Sequence, residues 1–423
     1  MITKLVADYS SRGMILLILI TYFLPNFSSI DRIGNQWLYL SIINLIGIIL
    51  ILFKHNADFK LYFFKEISTL KWYFLFMVTS LISFFASKNI SESIFTFNQY
   101  FNCLLAFYLI YFFLSDIKSR EKFVVQVLFT LLLFELYFSF IPILKDISSG
   151  NLSYRAMRYS GLTANVNVTS FSIVFKLPIL LYLISTVKKL YKKIILSILL
   201  IFSLYTIFML GTRGAFLGLI ICFGLYIFYL IINYKKIKEN FPGLFLIVFS
   251  FILSVIFNIN SSTTGMNNSV IDRASSISIS TTDGSVNQRL RYYKQGLTQF
   301  LKTPLLGIGV GNWKLISIEY DKEDIIGYTV PYHAHNDFIQ ILSEQGIIGF
   351  ASYLMVFISF IFILLKRKLI FRNKVYIFLA ASFLVFFLDS NLNFPIARPV
   401  SHLQFLLVLA LISTNQKVLK NEK

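Results

Sequence analysis

The chain has 423 residues, of which 57% are hydrophobic, 17% aromatic and only 14% charged, and it carries a formal net charge of +19. A mean hydropathy of +0.72 excludes a soluble globular domain. Two cysteines, Cys103 and Cys222, both within apolar runs, exclude a disulfide framework and a thiolate metal centre and read as small buried hydrophobes.

A spanning helix needs about 20 mainly apolar residues. Runs of that kind predict an all-α polytopic membrane protein with about twelve spans, over 13–30, 37–53, 72–87, 97–115, 123–144, 166–187, 194–212, 214–233, 243–259, 346–365, 375–390 and 402–415. The first run follows Lys4 and Arg12 but lacks a small-residue cleavage site, so it reads as a retained span and not as a signal peptide. Basic clusters recur in alternate loops, at Lys54 to Lys71, Lys118 to Lys122, Lys188 to Lys193, Lys235 to Lys238, Lys366 to Lys374 and Lys417 to Lys423. Positive charge marks the cytoplasmic side, which places both termini inside.

Four regions follow: 1–165 and 166–259, both of spanning helices, a long hydrophilic loop at 260–345, and the C-terminal helices of 346–423. The loop begins with a Ser/Thr/Asn-rich stretch up to Asp283 that reads as a flexible lid. From Asn287 to Phe300, Leu290, Tyr293, Leu297 and Phe300 recur at helical spacing, which predicts a helix lying on the bundle or membrane surface through that stripe.

Three signals fall on the outer side of this topology. Thr212-Arg213-Gly214-Ala215 puts an arginine between two spans, either as a functional charge or as one snorkelling to the interface. Arg289 stands beside the amphipathic stripe, with Arg291 and Lys294 expected on a solvated face. The glycines of Pro304-Leu305-Leu306-Gly307-Ile308-Gly309-Val310-Gly311 lack the strand and lysine of a nucleotide loop, so close backbone packing is the better reading. His333-Ala334-His335-Asn336-Asp337 precedes a helix start and holds two of the four histidines. A general base, a metal pair completed by Asp337 or Glu344, and a structural hydrogen-bonding role all remain open for it.

Further along, Asp321, Glu323 and Asp324 read as a solvated loop or a divalent-cation site. Asp389, Asn391, Asn393 and Arg398 flank Pro395, where Asp389 and Arg398 can pair. Lys176, inside a span beside Pro178, admits either a substrate contact or snorkelling.

Thr-Arg-Gly-Ala at 212–215, Arg289 with Tyr293, Pro-Leu-Leu-Gly-Ile-Gly at 304–309, His-Asn at 335–336 and Glu-Gln-Gly-Ile-Ile-Gly at 344–349 together resemble the O-antigen ligase and polymerase superfamily, over roughly 166–400. Tyr293 stands where the family more often has tryptophan, and the early spans carry no motif that aligns. The resemblance implies a glycosyltransferase of the cell inner membrane, with its active site facing the periplasm and an undecaprenyl diphosphate-linked glycan as donor. Lipid A-core or another glycan is the acceptor, membrane lipid is the only other partner, and neither nucleic acid, cofactor nor metal takes part. Arg213 and Arg289 then hold the donor diphosphate and His335 is the base, supported by Arg291, His333, Asn336, Glu344 and Arg398. One base without a second carboxylate implies inversion at the anomeric carbon. Overall resemblance favours ligase over polymerase and over a protein O-oligosaccharyltransferase. A flippase, from a different class, is disfavoured because no internal halves are evident and the charged groups concentrate in one loop.

Overall fold

The computed structural model describes residues 2–25, 27, 31, 33–54, 68–150, 156–262, 271, 284–322 and 331–415. They contain no strand. In chain order the main helices are α1 (Ile2–Ile20), α2 (Gly34–Lys54), α3 (Ser68–Ile82), α4 (Ile90–Asp116), α5 (Arg120–Ser148), α6 (Val166–Thr186) and α7 (Leu190–Leu210). They continue as α8 (Arg213–Ile232), α9 (Ile237–Ser262), α10 (Gly284–Lys302), α11 (Trp313–Asp321), α12 (Asp337–Lys366), α13 (Val375–Leu392) and α14 (Pro399–Thr414).

Ten helices among the described residues are long and apolar enough to cross a membrane. Two of the twelve expected spans fall outside that set. The helix α1 carries Lys4, Asp8 and Arg12 in its first part and gives way to a 3-10 turn after Ile20, well before residue 30. The helix α14 is mainly apolar but only 16 residues long. The break expected near residue 213 is sharp: Gly211 closes α7 in the left-handed region (φ 61°), and Thr212 turns extended to start α8 at Arg213. The span expected at 346 begins at a break: Gly346 is non-helical (φ 66°, ψ −165°) and separates it from a preceding helical stretch that starts at Asp337, capped by Asn336.

Two compact units interleave in sequence. The first comprises residues 1–120, 279–368 and 390–423. In it α3 packs along α12, α4 along α14, α1 and α2 against α4, and α10 against α12. Polar clasps fix the register between these apolar helices. Asn44 donates to the Asn102 carbonyl (2.9 Å), Tyr73 meets His402 (3.1 Å), and Gln345 accepts from Ser80 (3.0 Å) and Thr79 (3.3 Å).

The second unit comprises residues 121–278 and 369–389. Here α7 packs on α9, and α6 on both α7 and α8. Lys176 is enclosed within this unit, where its Nζ lies 2.8 Å from Glu135 and donates to Ser172 (2.8 Å). It neither snorkels nor reaches out toward a ligand from an exposed position. The pairing partner was not evident because Glu135 lies 41 residues earlier in the chain, on another helix.

The amphipathic helix lies where expected, but its orientation is a correction. Leu290 and Leu297 are exposed, whereas Tyr292, Gln295, Gly296 and Gln299 are buried. Gln295 donates to Asp321, Gln299 to Thr303, and a Cβ at Gly296 would collide with Ile339. Only Leu290 and Leu297 of the stripe turn outward, Tyr293 and Phe300 are half-buried, and the face bearing Gln295 and Gln299 packs inward.

Candidate functional site

The centre of the site is the tight approach to α12. Asn336 is extended, and its Oδ1 accepts the Ile339 N–H (3.0 Å), satisfying one of the free donors at the helix start. Immediately before it, His335 holds φ at +55°, a conformation that costs an ordinary L-residue energy and needs support. That support comes from α10: the Tyr293 hydroxyl bridges the carbonyls of His335 (3.1 Å) and Asn391 (3.0 Å).

Aromatic rings then fix both imidazoles. The His333 ring stacks on Phe394 at 4.3 Å, His335 meets the same ring edge-on at 5.1 Å, and Tyr292 lies parallel to His335 at 6.5 Å. The Arg398 guanidinium also sits over Phe394, at 5.0 Å, and its acidic neighbour is Asp31. The Nδ1 atoms of His333 and His335 are buried without hydrogen-bond partners, and neither ring is paired with a carboxylate among the described residues.

Charge follows from this enclosure. Burial first, then the Arg289 guanidinium, brings His335 down from 6.5 to about 4. Burial, then Arg398, His335 and Lys314, brings His333 down to about 3, with a hydrogen bond donated to Gln340 opposing the shift. Both rings are therefore neutral at pH 7 and can accept a proton. Arg289 is half-buried on α10 and has no acidic partner among the described residues. A cation without a counter-charge beside neutral rings is suited to an anion.

The glycine motifs pack backbone against backbone. The Ile347 N–H donates to the Pro304 carbonyl and Gly309 to the Glu344 carbonyl, both at 2.9 Å. A Cβ on Gly307 would lie 2.3 Å from the Glu344 carbonyl carbon, and one on Gly346 would lie 2.3 Å from the Leu305 oxygen, so side chains are excluded from both. The fully buried Glu344 carboxylate accepts from the N–H groups of Gly311 (2.9 Å) and Trp313 (3.1 Å) and from Gln340 (3.2 Å). It anchors the turn and does not open onto a ligand. Asn336 is likewise a cap.

Arg291 was expected on a solvated face and is instead tied to the buried Asp321 at 3.3 Å, so that Asp321 is not part of a solvated loop. Lys294 is exposed as expected. Glu323 and Asp324 lie outside the described residues, as does nearly all of the Ser/Thr/Asn-rich lid. No three His, Cys, Asp or Glu side chains among the described residues converge as metal ligands.

Arg289, Tyr293, His333, His335, Asn336, Glu344 and Arg398 thus share the first unit, whereas Arg213 is the first residue of α8 in the second. The sequence reading missed Phe394, Tyr292 and Trp313, which pack around the histidines, and the short helix α11. It also missed Asn312, which accepts the Asn89 N–H (2.8 Å) and donates to Ser93 (2.8 Å), joining the glycine turn to the start of α4. The only available signal was the aromatic of Asn-Phe-Pro at 393–395, among the polar residues flanking Pro395.

These features define an all-α polytopic membrane protein whose non-spanning segments gather neutral imidazoles beside an uncompensated cation. Residues 198–354, which include Arg213, Arg289 and His335, match the family model described as O-antigen ligase, and the match supports the O-antigen ligase and polymerase superfamily. That match implies a membrane glycosyltransferase-like enzyme in general terms. A search of curated proteins found no match to the chain.

Proposed function

We propose that this protein is an O-antigen ligase, transferring a polysaccharide from undecaprenyl diphosphate to a hydroxyl of lipid A-core at the periplasmic face of the inner membrane. The observation that carries this reading is the juxtaposition of Arg289, without an acidic partner among the described residues, and the neutral His335. The diphosphate is already an activated leaving group, so the chemistry needs a cation to hold it and a base to free the acceptor oxygen. Arg289 supplies the first, since its planar fork binds phosphate oxygens bidentately and remains charged.

In the transfer, the acceptor hydroxyl gives its proton to His335 while its oxygen forms a bond to the anomeric carbon. The bond from that carbon to the diphosphate oxygen breaks, and the electron pair leaves with undecaprenyl diphosphate. Arginine stabilises the charge that develops on departure. Direct displacement inverts the anomeric configuration and needs no metal.

The deciding experiment is a gel profile of lipopolysaccharide from the source bacterium with the gene deleted. Bare core, with polymer stranded on the lipid carrier and restored by the wild-type gene, is the expected result. Core bearing one repeat unit would replace ligase by polymerase, and an unchanged profile would remove lipopolysaccharide as the product. Retained anomeric configuration, or loss of transfer in EDTA, would overturn the inverting, metal-free step.

A further inference from the structure

A cavity of about 390 Å³ opens in the first unit between the start of α4, the glycine turn and the segment entering α12. That volume is ample for a sugar ring and lies within the usual ligand-pocket range of roughly 300–1,000 Å³. His333 forms part of its wall, and Thr96, Gln99 and Tyr100 of α4 line it from outside every motif described above.

Two of those polar groups have no structural employment. Gln99 is only 8% exposed, and its side-chain amide has no hydrogen-bond partner among the described residues. Tyr100 is 2% exposed, and its hydroxyl likewise has none. Neither residue is among those whose polar atoms are fully enclosed without a partner, so both present their polar atoms to the cavity, where water or a ligand meets them. Two such groups, adjacent in sequence and lining one cavity, mark a place that something else completes.

The character of that ligand follows from charge. The cavity's lysine, Lys314, is already ion-paired with Glu92, and its ammonium lies over the Tyr332 ring at 5.3 Å. No uncompensated cation is thereby offered to a phosphate. Beside the Asp31 carboxylate, set against Arg398, and Gln340, already bonded to Ala334 and Glu344, what remains is an amide that both donates and accepts, a phenol, the Thr96 hydroxyl and a neutral imidazole. Tyr332 and Phe95, both exposed, stand at the lining as flat apolar faces. Neutral donors and acceptors in several directions, beside aromatic faces, suit a hydroxyl-rich pyranose ring.

We infer that this cavity binds a neutral sugar of the acceptor glycan, with Gln99 and Tyr100 as its principal hydrogen-bonding groups, so that the N-terminal part of the chain selects the acceptor. The choice of acceptor over donor rests on the proposed transferase reading. The donor's anomeric carbon is tied to the diphosphate, which belongs with the unpaired Arg289, and in-line displacement brings the acceptor from the opposite side. Gln99 and Tyr100 bind and position; neither takes part in proton transfer.

The first test does not depend on turnover. The full chain carrying Ile33→Cys at the cavity wall, with Gln99 and Tyr100 intact, is alkylated with a maleimide in lipid nanodiscs; Cys103 and Cys222 are both buried and give little background. Millimolar methyl glycosides of glucose, galactose and N-acetylglucosamine are the probes, with inorganic pyrophosphate as the contrast. Protection by at least one glycoside and none by pyrophosphate is expected. Protection by pyrophosphate alone, or by nothing, overturns the sugar site. In transfer assays, Gln99→Leu should raise the acceptor KM by about tenfold, the loss of one or two hydrogen bonds, with donor KM changed less than twofold. A rise in donor KM instead would reassign the cavity to the donor's sugar, and an unchanged acceptor KM with intact transfer would end the proposal. Should Gln99→Leu not be recovered folded, Tyr100→Phe reads the same quantity. Glycoside protection in a protein that transfers nothing would leave the sugar site standing and bring down the transferase reading alone.

Discussion

The two units bury charge in opposite ways. In the second, Lys176 and Glu135 are 0% and 6% exposed and neutralise one another at 2.8 Å, with Ser172 completing the contact. In the first, the polar centre leaves Arg289 without an acid among the described residues and keeps two imidazoles neutral beside it. A closed pair in an apolar bundle fixes helices to each other. An open cation next to a neutral base is costly to maintain unless a ligand completes it. The difference separates a structural charge from a functional one more reliably than membrane depth does.

Three substitutions probe that distinction, beginning with the largest effect. Removing the base by His335→Ala should lower kcat by about 10²–10⁴ at normal protein abundance, measured as polymer transferred in purified nanodiscs. Near-normal turnover would take the base role from His335. Breaking the closed pair by Lys176→Met should leave Glu135 uncompensated and cost about 3–5 kcal/mol of stability, seen as lost folded yield. The double variant Lys176→Met with Glu135→Leu should recover the yield and retain transfer; a well-folded but inactive double variant would make the pair functional after all. Opening the site further by Arg289→Ala should lower kcat/KM by roughly 10²–10³-fold, with partial rescue by lysine.

The same substitution has a pH signature. Because burial and Arg289 hold His335 at about 4, its neutral form persists on acidification and is lost only as the pH falls through that value. The acid limb of kcat/KM should therefore lie near pH 4 and not near 6.5. Removing the arginine takes away a positive neighbour, so the limb should move upward in Arg289→Ala. Bound diphosphate has the same sign of effect, which places the acid limb of kcat above that of kcat/KM in the wild type. A limb at the same pH in both proteins would separate Arg289 from His335 electrostatically.

Helical spans were legible because each is a local property: a run of apolar residues, a Gly211 stop, an Asn336 cap. The packing role of the glycine series was legible too, since the surrounding residues fit no phosphate loop. Partners distant in sequence were not. Asp321 claims Arg291 across a loop, Asn312 joins the turn to α4, and Phe394 carries both imidazoles from the far end of the chain. The stripe of α10 misled for a different reason. Helical periodicity reveals that a helix has two faces, but which face turns inward depends on what packs against it. Here the buried face is the one bearing Gln295 and Gln299, each with a defined partner.

That arrangement gives Tyr293 its place and the smallest predicted effect. It sits at the edge between the two faces of α10, half-buried, with its hydroxyl bridging the His335 and Asn391 carbonyls. The ring packs whether or not the oxygen is present, so Tyr293→Phe should fold normally and lose about 1 kcal/mol, one ordinary hydrogen bond. That loss falls on a peptide already held at φ +55°, where His335 needs outside support to stay. Loosening it should lower kcat roughly fivefold while leaving donor KM unchanged, because Arg289 is untouched. Tyr293→Trp, which keeps an N–H donor on an aromatic body, should recover most of the rate. If phenylalanine and tryptophan instead behave alike, the ring and not the bridging hydroxyl holds the histidine, and the neighbouring Phe394 contact becomes the element that sets its position.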